Sequence, residues 1–547
     1  MMKTLRYTIL ALLLCFCGVL YAQIDIRERV YLQTDKQVYL AGEYLWLKLY
    51  LTDEQGRPSA FSKVGYVELS DGAAARVQLI VAIENGVGEG RMELPSRLAT
   101  GYYRLIAYTR QMQNEGEAVY AHKTVGLVNT YRTDLTVGVD TALSAPVAAP
   151  ASSGGLRVSA SRASYPVRSQ SEIRIEGLPA DVHSLALSIA GAEFIPVPDA
   201  TDIVSWQTQL SAIPRKAFTQ KQLPEYEGHI IRAKITGDAS DVHPLLGFVG
   251  DNIHIYGGKT DDEGNVLFFT ENVGDIRRVA ATLDASGSTT GQRIEIVPPF
   301  ATHTAVTMPP FSLNPAWAER LSERSVGIQA LYAFMSDSMS APRTIFPFAR
   351  WQTDYSYNLD EYTRFDRMPE MFLEFIPYLS FRNFNGKRRL SVLQKDFSHG
   401  NSLVLLDGIP IADHDFIYSY SPRLLKRVDI YQGRFYFGGQ LFEGVVAFSS
   451  FNNDYPSLQS GDNVRIFEYA GAQNPFRFFV PDHSAGQQRI PDHRHTLLWM
   501  PEIPVGDSSA TTIPFATSDL RGTFLITVEG LTANGAPLRA TASFRVE

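Results

Sequence analysis

After a short apolar segment at the N-terminus, apolar residues recur at every second position over about one hundred residues. The four leucines from Leu45 to Leu51 alternate with polar and aromatic residues, which places the leucines on one face of a strand. Asn85 and Gly86 are a pair typical of a tight turn between two strands. Short strands separated by such turns predict a β-sandwich over residues 23–135.

Further alternating stretches and one helical stretch divide the rest of the chain. Asn314 is a favourable helix cap and Pro315 suits the first helical position, after which apolar residues recur at helical spacing. A stretch rich in Ala, Pro, Ser and Gly has no periodicity and is typical of a linker. The predicted order is a linker (136–155), a second β unit (156–212), a third β-sandwich (213–300), a helical spacer (301–350), an aromatic-rich α+β module (351–453) and a C-terminal β-sandwich (454–547).

The N-terminus has the three parts of a secretory signal. Lys3 and Arg6 precede an apolar run, and the small residue Ala22 follows it, so residues 1–22 are predicted to be a signal peptide cleaved after Ala22. A single membrane anchor is the alternative. The run from Ile9 to Leu20 has 12 residues, which is short of the roughly 20 that a span needs, so the signal is favoured.

Both cysteines of the chain, Cys15 and Cys17, lie within this predicted signal. The residues before them, Leu14 and Phe16, are larger than a lipoprotein signal requires, so lipid anchoring is not expected. Cleavage would remove 22 of 547 residues and two positive charges, which leaves 525 residues with 48 basic and 58 acidic side chains, a net charge of -10. The exported chain would contain no thiol, which excludes thiolate catalysis, zinc–thiolate sites and thioesters.

The composition limits the size and class of the protein. At roughly 150 residues per domain, 547 residues suggest three or four domains. A hydrophobic content of 45% excludes wholesale disorder, and the formal net charge of -8 argues against a nucleic-acid partner bound through its phosphates. Beyond the signal, no stretch reaches 18 uninterrupted apolar residues, so the mature protein is expected to be soluble or peripheral to a membrane.

The first predicted sandwich carries the motifs of a known family. They lie at Arg29 to Lys36, Tyr39, Ala41 to Glu43, Leu45 to Lys48 and Gly101 to Thr109. These residues resemble a macroglobulin-type MG2 domain, which implies a seven-stranded sandwich rather than an activity. The stretch 156–212 resembles the macroglobulin-type repeat that follows, and 454–547 is similar to the terminal Ig-like module of exported bacterial proteins.

The module at 351–453 carries a second resemblance. Its elements lie at Leu403 to Ile411, Pro422 to Leu425, Val428 to Tyr431 and Gly438 to Phe448. They resemble the plug domain of TonB-dependent outer-membrane receptors, in which an Asp-Gly pair ends one strand and a short helix follows. A receptor plug is followed by a barrel of roughly 200 residues or more. Because 94 residues follow Asn453, we expect no barrel in this chain.

Together the patterns predict a mainly β fold, with tandem Ig-like or macroglobulin-like β-sandwiches and a small α+β plug-like module. This order resembles multi-domain exported proteins of Gram-negative bacteria. We therefore expect the protein in the periplasm or associated with the outer membrane.

Candidate chemistry is sparse in this sequence. His483, His493 and His495 form its one histidine cluster, but a metal site needs three or four converging ligands, so we predict no metal site. Gly257 to Thr260 lacks the earlier glycine of a phosphate loop, and the acids at 261–265 lack the closing acid of a calcium loop, so both are predicted to be turns. Hydrolase motifs such as Gly-x-Ser-x-Gly do not occur, and we expect no enzyme activity and no cofactor.

A basic run among aromatic residues predicts a hairpin at Lys387 to Arg389. Such a run can bind single-stranded nucleic acid or anionic lipid head groups. On an acidic exported chain a solvated hairpin edge is favoured.

The leading functional hypothesis is a non-catalytic binding or assembly protein in which the plug-like module recognises an outer-membrane protein, such as a TonB-dependent receptor barrel. The alternatives are a macroglobulin-like defence protein that acts on proteases without a thioester and, third, a glycan-active enzyme. Aromatic residues are enriched among interface anchors, although packing within the module is an equal alternative for these rings. The predicted partner-contact residues are Asp407, Gly408, Tyr418, Tyr420, Tyr431, Phe435, Tyr436 and Phe437.

Overall fold

The computed structural model describes most of the chain after the predicted signal. The described residues are 26–132, 137–144, 152–213, 215, 218, 222–237, 242–250, 253–270, 274, 276–283, 291–340, 352–384, 386–394, 401–452, 464–483, 490–506 and 508–547. The predicted signal peptide and part of the predicted linker lie outside them. Within them the fold is mainly β, which confirms the predicted fold class.

The first sandwich is formed by the N-terminal part of the described chain. Its strands are β1 Glu28–Thr34, β2 Val38–Leu40, β3 Tyr44–Asp53, β4 Val64–Ser70, β5 Ala75–Glu84, β6 Val87–Glu93, β7 Gly101–Tyr108 and β8 Ala121–Val128. They pair in the order β1-β3-β6-β5-β4-β7-β8-β2. The leucines of β3 lie in its core, and Asn85 and Gly86 form the predicted turn with φ of +50° and +79°. The short segments that follow are the 3-10 turns Met112–Asn114 and Glu117–Val119 and the strand β9 Gly138–Val139.

Strands from two distant parts of the chain build one second sandwich. One sheet contains β10 Ser152–Ser153, β12 Ser164–Tyr165, β14 Val182–Gly191, β31 Thr496–Met500, β33 Gly522–Thr532 and β34 Pro537–Val546, and the other contains β11 Arg157–Ala160, β13 Gln170–Glu176 and β32 Ala510–Ala516. Strands from 156–212 and from the later part of 454–547, predicted as separate units, therefore form halves of one domain, whereas Val464–Glu468 and Ala472–Gln473 of the second segment join other sheets. The reason is that neither half buries its apolar face alone: Leu185 and Ile189 share a core with Ile526. Helix α1, Ile203–Leu210, follows the first half.

The third sandwich also takes a strand from far along the chain. One sheet contains β15 Ile230–Thr236, β18 Asn265–Phe269 and β20 Arg293–Val297, and the other contains β16 Leu245–Phe248, β17 Ile255–Gly257, β19 Arg278–Thr282 and β29 Val464–Glu468. The turn at 261–265 joins strands of different sheets, so it links the two layers. The side chain of Asp261 accepts from the backbone N–H of Asn265 at 2.8 Å, as expected for a turn.

The helical spacer begins where the sequence predicts. The short strand β21, Ser312–Leu313, pairs with β9, and a 3-10 turn, Pro315–Trp317, leads into helix α2, Ala318–Ser340. The Asn314 side chain caps this start by accepting from the Ala316 N–H at 3.0 Å. Trp317, Leu321 and Ile328 pack against the edge of the first sandwich near β2.

The plug-like module, residues 351–453, has a five-stranded sheet, a hairpin and two short helices. Its elements are β22 Tyr355–Asn358, β23 Leu379–Phe384, β24 Lys387–Val392, β25 Leu403–Leu406, β26 Ile409–Pro410, β27 Leu425–Phe437 and β28 Gln440–Ser450, helices α3 Met368–Phe375 and α4 His414–Ser419, and 3-10 turns Leu359–Glu361 and Pro422–Leu424. The sheet order is β22-β27-β28-β25-β26, and β23 pairs with β24 alone. A strand, an Asp-Gly turn, a helix and two long strands follow one another in the predicted order.

The units are nested rather than arranged in tandem. The second sandwich begins before the third sandwich and ends after it, and the third sandwich in turn encloses α2 and the plug-like module. The strand β30, Ala472–Gln473, then returns to the first sandwich and pairs in parallel with β5. Both ends of the plug-like module are therefore held by the same scaffold.

Candidate functional site

One face of the plug-like module is attached to the third sandwich through an apolar seam. The seam consists of Leu245 and Ile255 of the sandwich and of Leu403, Leu405, Tyr431, Phe442, Val445 and Ala447 of the module. Alternate residues of the same strands, such as Val404 and Val446, point into the module's own core. The Thr282 hydroxyl adds a hydrogen bond to the Pro410 carbonyl at 2.9 Å. The seam therefore covers one side of the module's sheet.

Asp407 and Gly408 close a turn at the edge of this seam. Asp407 is 1% exposed, and its carboxylate accepts from both the N–H and the hydroxyl of Ser450 at 2.6 Å. Its backbone carbonyl accepts from the N–H of Gly250 at 2.9 Å. Gly408 has a φ of +81° and lies directly against the backbone of Phe248. The structure therefore places both residues in internal contacts, where a second protein does not reach them.

Three of the predicted aromatic contact residues lie in or beside the seam. Tyr431 is buried in it, and Phe435 and Phe437 pack against it. Their rings fill the space between the module and the third sandwich. In this structure they stabilise the seam rather than forming a free surface.

The other three predicted aromatic residues lie outside the seam. Tyr418 is half-buried beneath the Arg388 guanidinium, whose carbon is 4.0 Å from the ring centre, and Tyr420 packs against Phe416. Tyr436 is 69% exposed near the end of the β27–β28 ribbon. Among the predicted aromatic residues, Tyr436 has the ring that is most available for contact.

Besides Tyr436 and Leu441 of the β27–β28 pair, four large apolar side chains are exposed on the described part of the module, and we call these four the outer apolar set. They are Tyr362, Leu373, Leu424 and Phe451, with exposed fractions of 38%, 85%, 54% and 50%. Phe451 donates its N–H to the Leu424 carbonyl at 3.2 Å, and Tyr362 stacks on Phe375 of α3 at 4.2 Å. Sequence analysis missed this set, although a helical projection of α3 would have placed Leu373 opposite the buried face.

A buried ionic network joins the first and third sandwiches. Glu225 accepts from the Tyr66 hydroxyl at 2.8 Å, contacts His229 Nδ1 at 2.8 Å and lies 3.5 Å from Arg110 Nη1. The other His229 nitrogen bonds the hydroxyl of Tyr469, which follows β29. Burial raises the pKa of Glu225, but the neighbouring His229 and Arg110 outweigh burial and hold this pKa below its ordinary value. The network fixes the scaffold that carries the module.

A second buried network joins α2 to the first sandwich. Arg324 donates to both carboxylate oxygens of Glu43, at 2.7 and 2.8 Å, and its Nη1 lies 3.7 Å from Glu193. Within the described residues, neither oxygen of Glu193 has a side-chain hydrogen-bond partner. Burial raises the pKa of Glu193 to about 7, although Arg324 opposes the shift.

The three histidines of the sequence cluster have separate partners. His483 pairs with Asp492 at 3.1 Å, His493 packs against Gly327 of α2, and the ring of His495 packs against Gly191. In the part of the chain that the structure describes, no group of three possible metal ligands comes together. The three histidines are close together in the sequence, but in the fold each of them has a different partner.

One buried pair has the residue types of a serine–lysine catalytic dyad. Lys48 Nζ lies 2.5 Å from the hydroxyl of Ser184, and burial lowers the pKa of Lys48. Ser184 is 1% exposed, and its hydroxyl donates a hydrogen bond to the Glu502 carboxylate at 2.6 Å. A substrate has no access to this hydroxyl, so the pair fastens the first sandwich to the second.

Comparison with known proteins supports the first resemblance. Residues 29–123 match the MG2 domain family, so the chain contains a macroglobulin-type MG2 domain. No curated protein sequence matches the chain.

The solved structures that the chain matches include those of bacterial alpha-2-macroglobulin. Trypsin-activated alpha-2-macroglobulin from Escherichia coli is 10% identical, with 95% of this chain and 41% of that chain covered and a TM-score of 0.24. The form activated by porcine elastase is 10% identical, with coverage of 95% and 44% and a TM-score of 0.26. The Salmonella mutant Y1175G is 9% identical, with coverage of 96% and 40% and a TM-score of 0.25. The chain thus spans about two fifths of these proteins.

No helix in the part of the chain that the structure describes is both long enough and apolar enough to cross a bilayer.

Proposed function

We propose that the protein is a non-catalytic binding protein of the bacterial cell envelope, in which the plug-like module recognises an outer-membrane protein. The outer apolar set is the observation that carries this proposal, because Leu373 leaves 85% of its side-chain surface in water. Exposed apolar side chains grouped on one module are typical of protein contact sites. The seam leaves this set uncovered, and the buried networks hold the scaffold behind it.

Affinity recovery from solubilised envelopes tests the proposal. The tagged full chain is expected to recover an outer-membrane protein, and the double variant Leu373→Asp/Leu424→Asp is expected to lose it. Val326→Asp is the matched control, since Val326 is 60% exposed on α2, outside the module. Equal recovery by the double variant and the control would contradict a role for the module.

Export is part of the same proposal. The charged start, the apolar run and Ala22 support cleavage before Gln23, which would place the protein in the periplasm or at the outer membrane. N-terminal sequencing of the envelope-derived protein is expected to begin at Gln23. A product that retains Met1 in the membrane would contradict this part.

The MG2 domain favours a second candidate, a defence protein that acts on proteases without a thioester. Cys15 and Cys17 are the chain's only cysteines, so residues 18–547 cannot form a thioester. Protease bound in the affinity recovery, with recovery unaffected by changes in the outer apolar set, would favour this second candidate over the first.

A further inference from the structure

A cleft of about 400 Å³ opens between the plug-like module and the third sandwich, beside the seam. Its apolar floor includes Leu245, Leu403 and Phe442, which come from both units. Its rim carries the basic hairpin residues from Lys387 to Arg389 together with Asp413 and Asp415. A volume in this range is typical of a ligand site, and the polar and charged side chains around the apolar floor suit a ligand that is itself partly polar.

His414 presents a fixed donor to this cleft. It is 8% exposed, and its Nδ1 accepts from the backbone N–H of Leu390 at 2.9 Å. Burial lowers the pKa of His414 to about 4, so the ring is neutral at pH 7 and carries its single proton on Nε2. His414 lines the cleft, and because its Nδ1 is occupied by Leu390, the Nε2–H is the donor that its ring can offer to a ligand there. A donor at this place favours a ligand that accepts a hydrogen bond.

The rim charges favour a carboxylate over a phosphate. Arg388 is already paired with Asp415 at 3.0 Å. Lys387 forms no ion pair among the described residues, whereas Arg389 lines the same cleft and already donates to the side-chain oxygen of Asn401 at 3.4 Å. The two carboxylates on the rim would repel a doubly charged phosphate, whereas a single carboxylate needs only one or two donors.

We propose that this cleft binds an acidic peptide segment of a partner protein, with a carboxylate at Lys387 and the Nε2–H of His414 and an adjacent apolar side chain on Leu245 and Phe442. The inference rests on the proposed function and deepens it, since it names the chemistry of the partner. Peptide is favoured over a lipid surface because the apolar floor is recessed between two units and the rim is of mixed charge.

Fluorescence anisotropy with labelled decapeptides and the full mature chain tests this site. A Gly/Ser decapeptide with a single Leu-Asp pair at its centre is expected to bind, and the same peptide with Asn for Asp to bind about tenfold more weakly. The double variant Lys387→Glu/Arg389→Glu is expected to bind the acidic peptide about tenfold more weakly. His414→Asn is also expected to bind it more weakly, although the Asn side chain keeps an acceptor for the Leu390 N–H. The control for charge is Lys259→Glu, an exposed site outside the cleft that is expected to change nothing.

Several results would contradict the proposed peptide site. Equal binding of the Asn peptide, or no effect of the rim reversal, would overturn the proposal. Binding of phosphatidylglycerol vesicles but not of the acidic peptide would also overturn it and identify the cleft as a membrane contact. If rim variants leave partner recovery unchanged while Leu373→Asp/Leu424→Asp abolishes it, the cleft inference fails and the proposed function stands.

Discussion

Gly408 lies so close to Phe248 that a Cβ on Gly408 would come within 2.1 Å of the Phe248 carbonyl oxygen. This contact joins the Asp-Gly turn of the plug-like module to the third sandwich. The turn therefore requires glycine for two reasons. Its backbone has a φ of +81° at Gly408, and there is no room at this position for a Cβ atom.

Gly408→Ala is therefore expected to destabilise the protein more than a positive φ alone would. Gly386 provides the matched control, because it has a φ of +82° and open space around its Cβ position. Gly386→Ala should cost roughly 1 kcal/mol, the strain of the left-handed backbone. Gly408→Ala should cost about 3 kcal/mol, since the backbones must also separate. Equal free energies of unfolding in urea for the two variants would contradict the close contact.

The buried network at the first and third sandwiches gives a second prediction. Glu225→Gln removes the negative charge that faces Arg110 and His229, so it should lower the free energy of unfolding by about 3 kcal/mol. Glu227→Gln, two residues away on the exposed surface, should leave it within about 0.5 kcal/mol of the parent. Chemical denaturation of the full chain measures both, and a loss shared equally by the two variants would count against the network.

Glu193 gives a prediction about pH. Its pKa is raised from an ordinary value of 4.5 to about 7 in the folded protein, so the folded state binds an extra proton between these values. Stability from this group is therefore fully present below pH 4.5 and is lost as the pH rises through 7, by about 3 kcal/mol in total.

Glu193→Gln should remove this loss, so its melting temperature should exceed that of the parent at pH 8 and approach it at pH 5. Glu172→Gln is the control, because Glu172 is exposed on the second sandwich. Calorimetry at the two pH values measures the effect. A parent and a Glu193→Gln variant with parallel pH profiles would show that Glu193 titrates normally.

Local patterns predicted the elements of this fold well. The turn at Asn85 and Gly86, the helix start at Asn314 and the order of strands around Asp407 all follow from short-range sequence signals. Each of these depends on residues a few positions apart, and backbone conformation and capping are decided at that range.

Pairing over long distances was not predictable in the same way. β14 and β33 pair in one sheet although more than 300 residues separate them in the sequence. Nothing in the sequence of either strand indicates which strand it pairs with. The residues between the leucines of β3 show a related difficulty. Lys48 and Tyr50 suggest a solvent-facing side, yet both are buried because that face packs against the second sandwich.

The candidate site was predicted only in part, for a physical reason. Tyr431 and Tyr436 are both aromatic residues in one strand, but Tyr431 lies in the seam and Tyr436 lies mostly in water. Aromatic side chains serve cores and interfaces equally well, so composition alone could not separate them. The position of the third sandwich decides which ring is covered.

Photo-crosslinking in intact cells tests the central claim most directly. The photoreactive residue p-benzoylphenylalanine is placed at Leu373 in the outer apolar set, and at Val326 on α2 as the control for exposure. The account predicts that light joins the Leu373 position to one outer-membrane protein and leaves the Val326 position without that product. The same product from both positions, or from Val326 alone, would contradict recognition by the plug-like module.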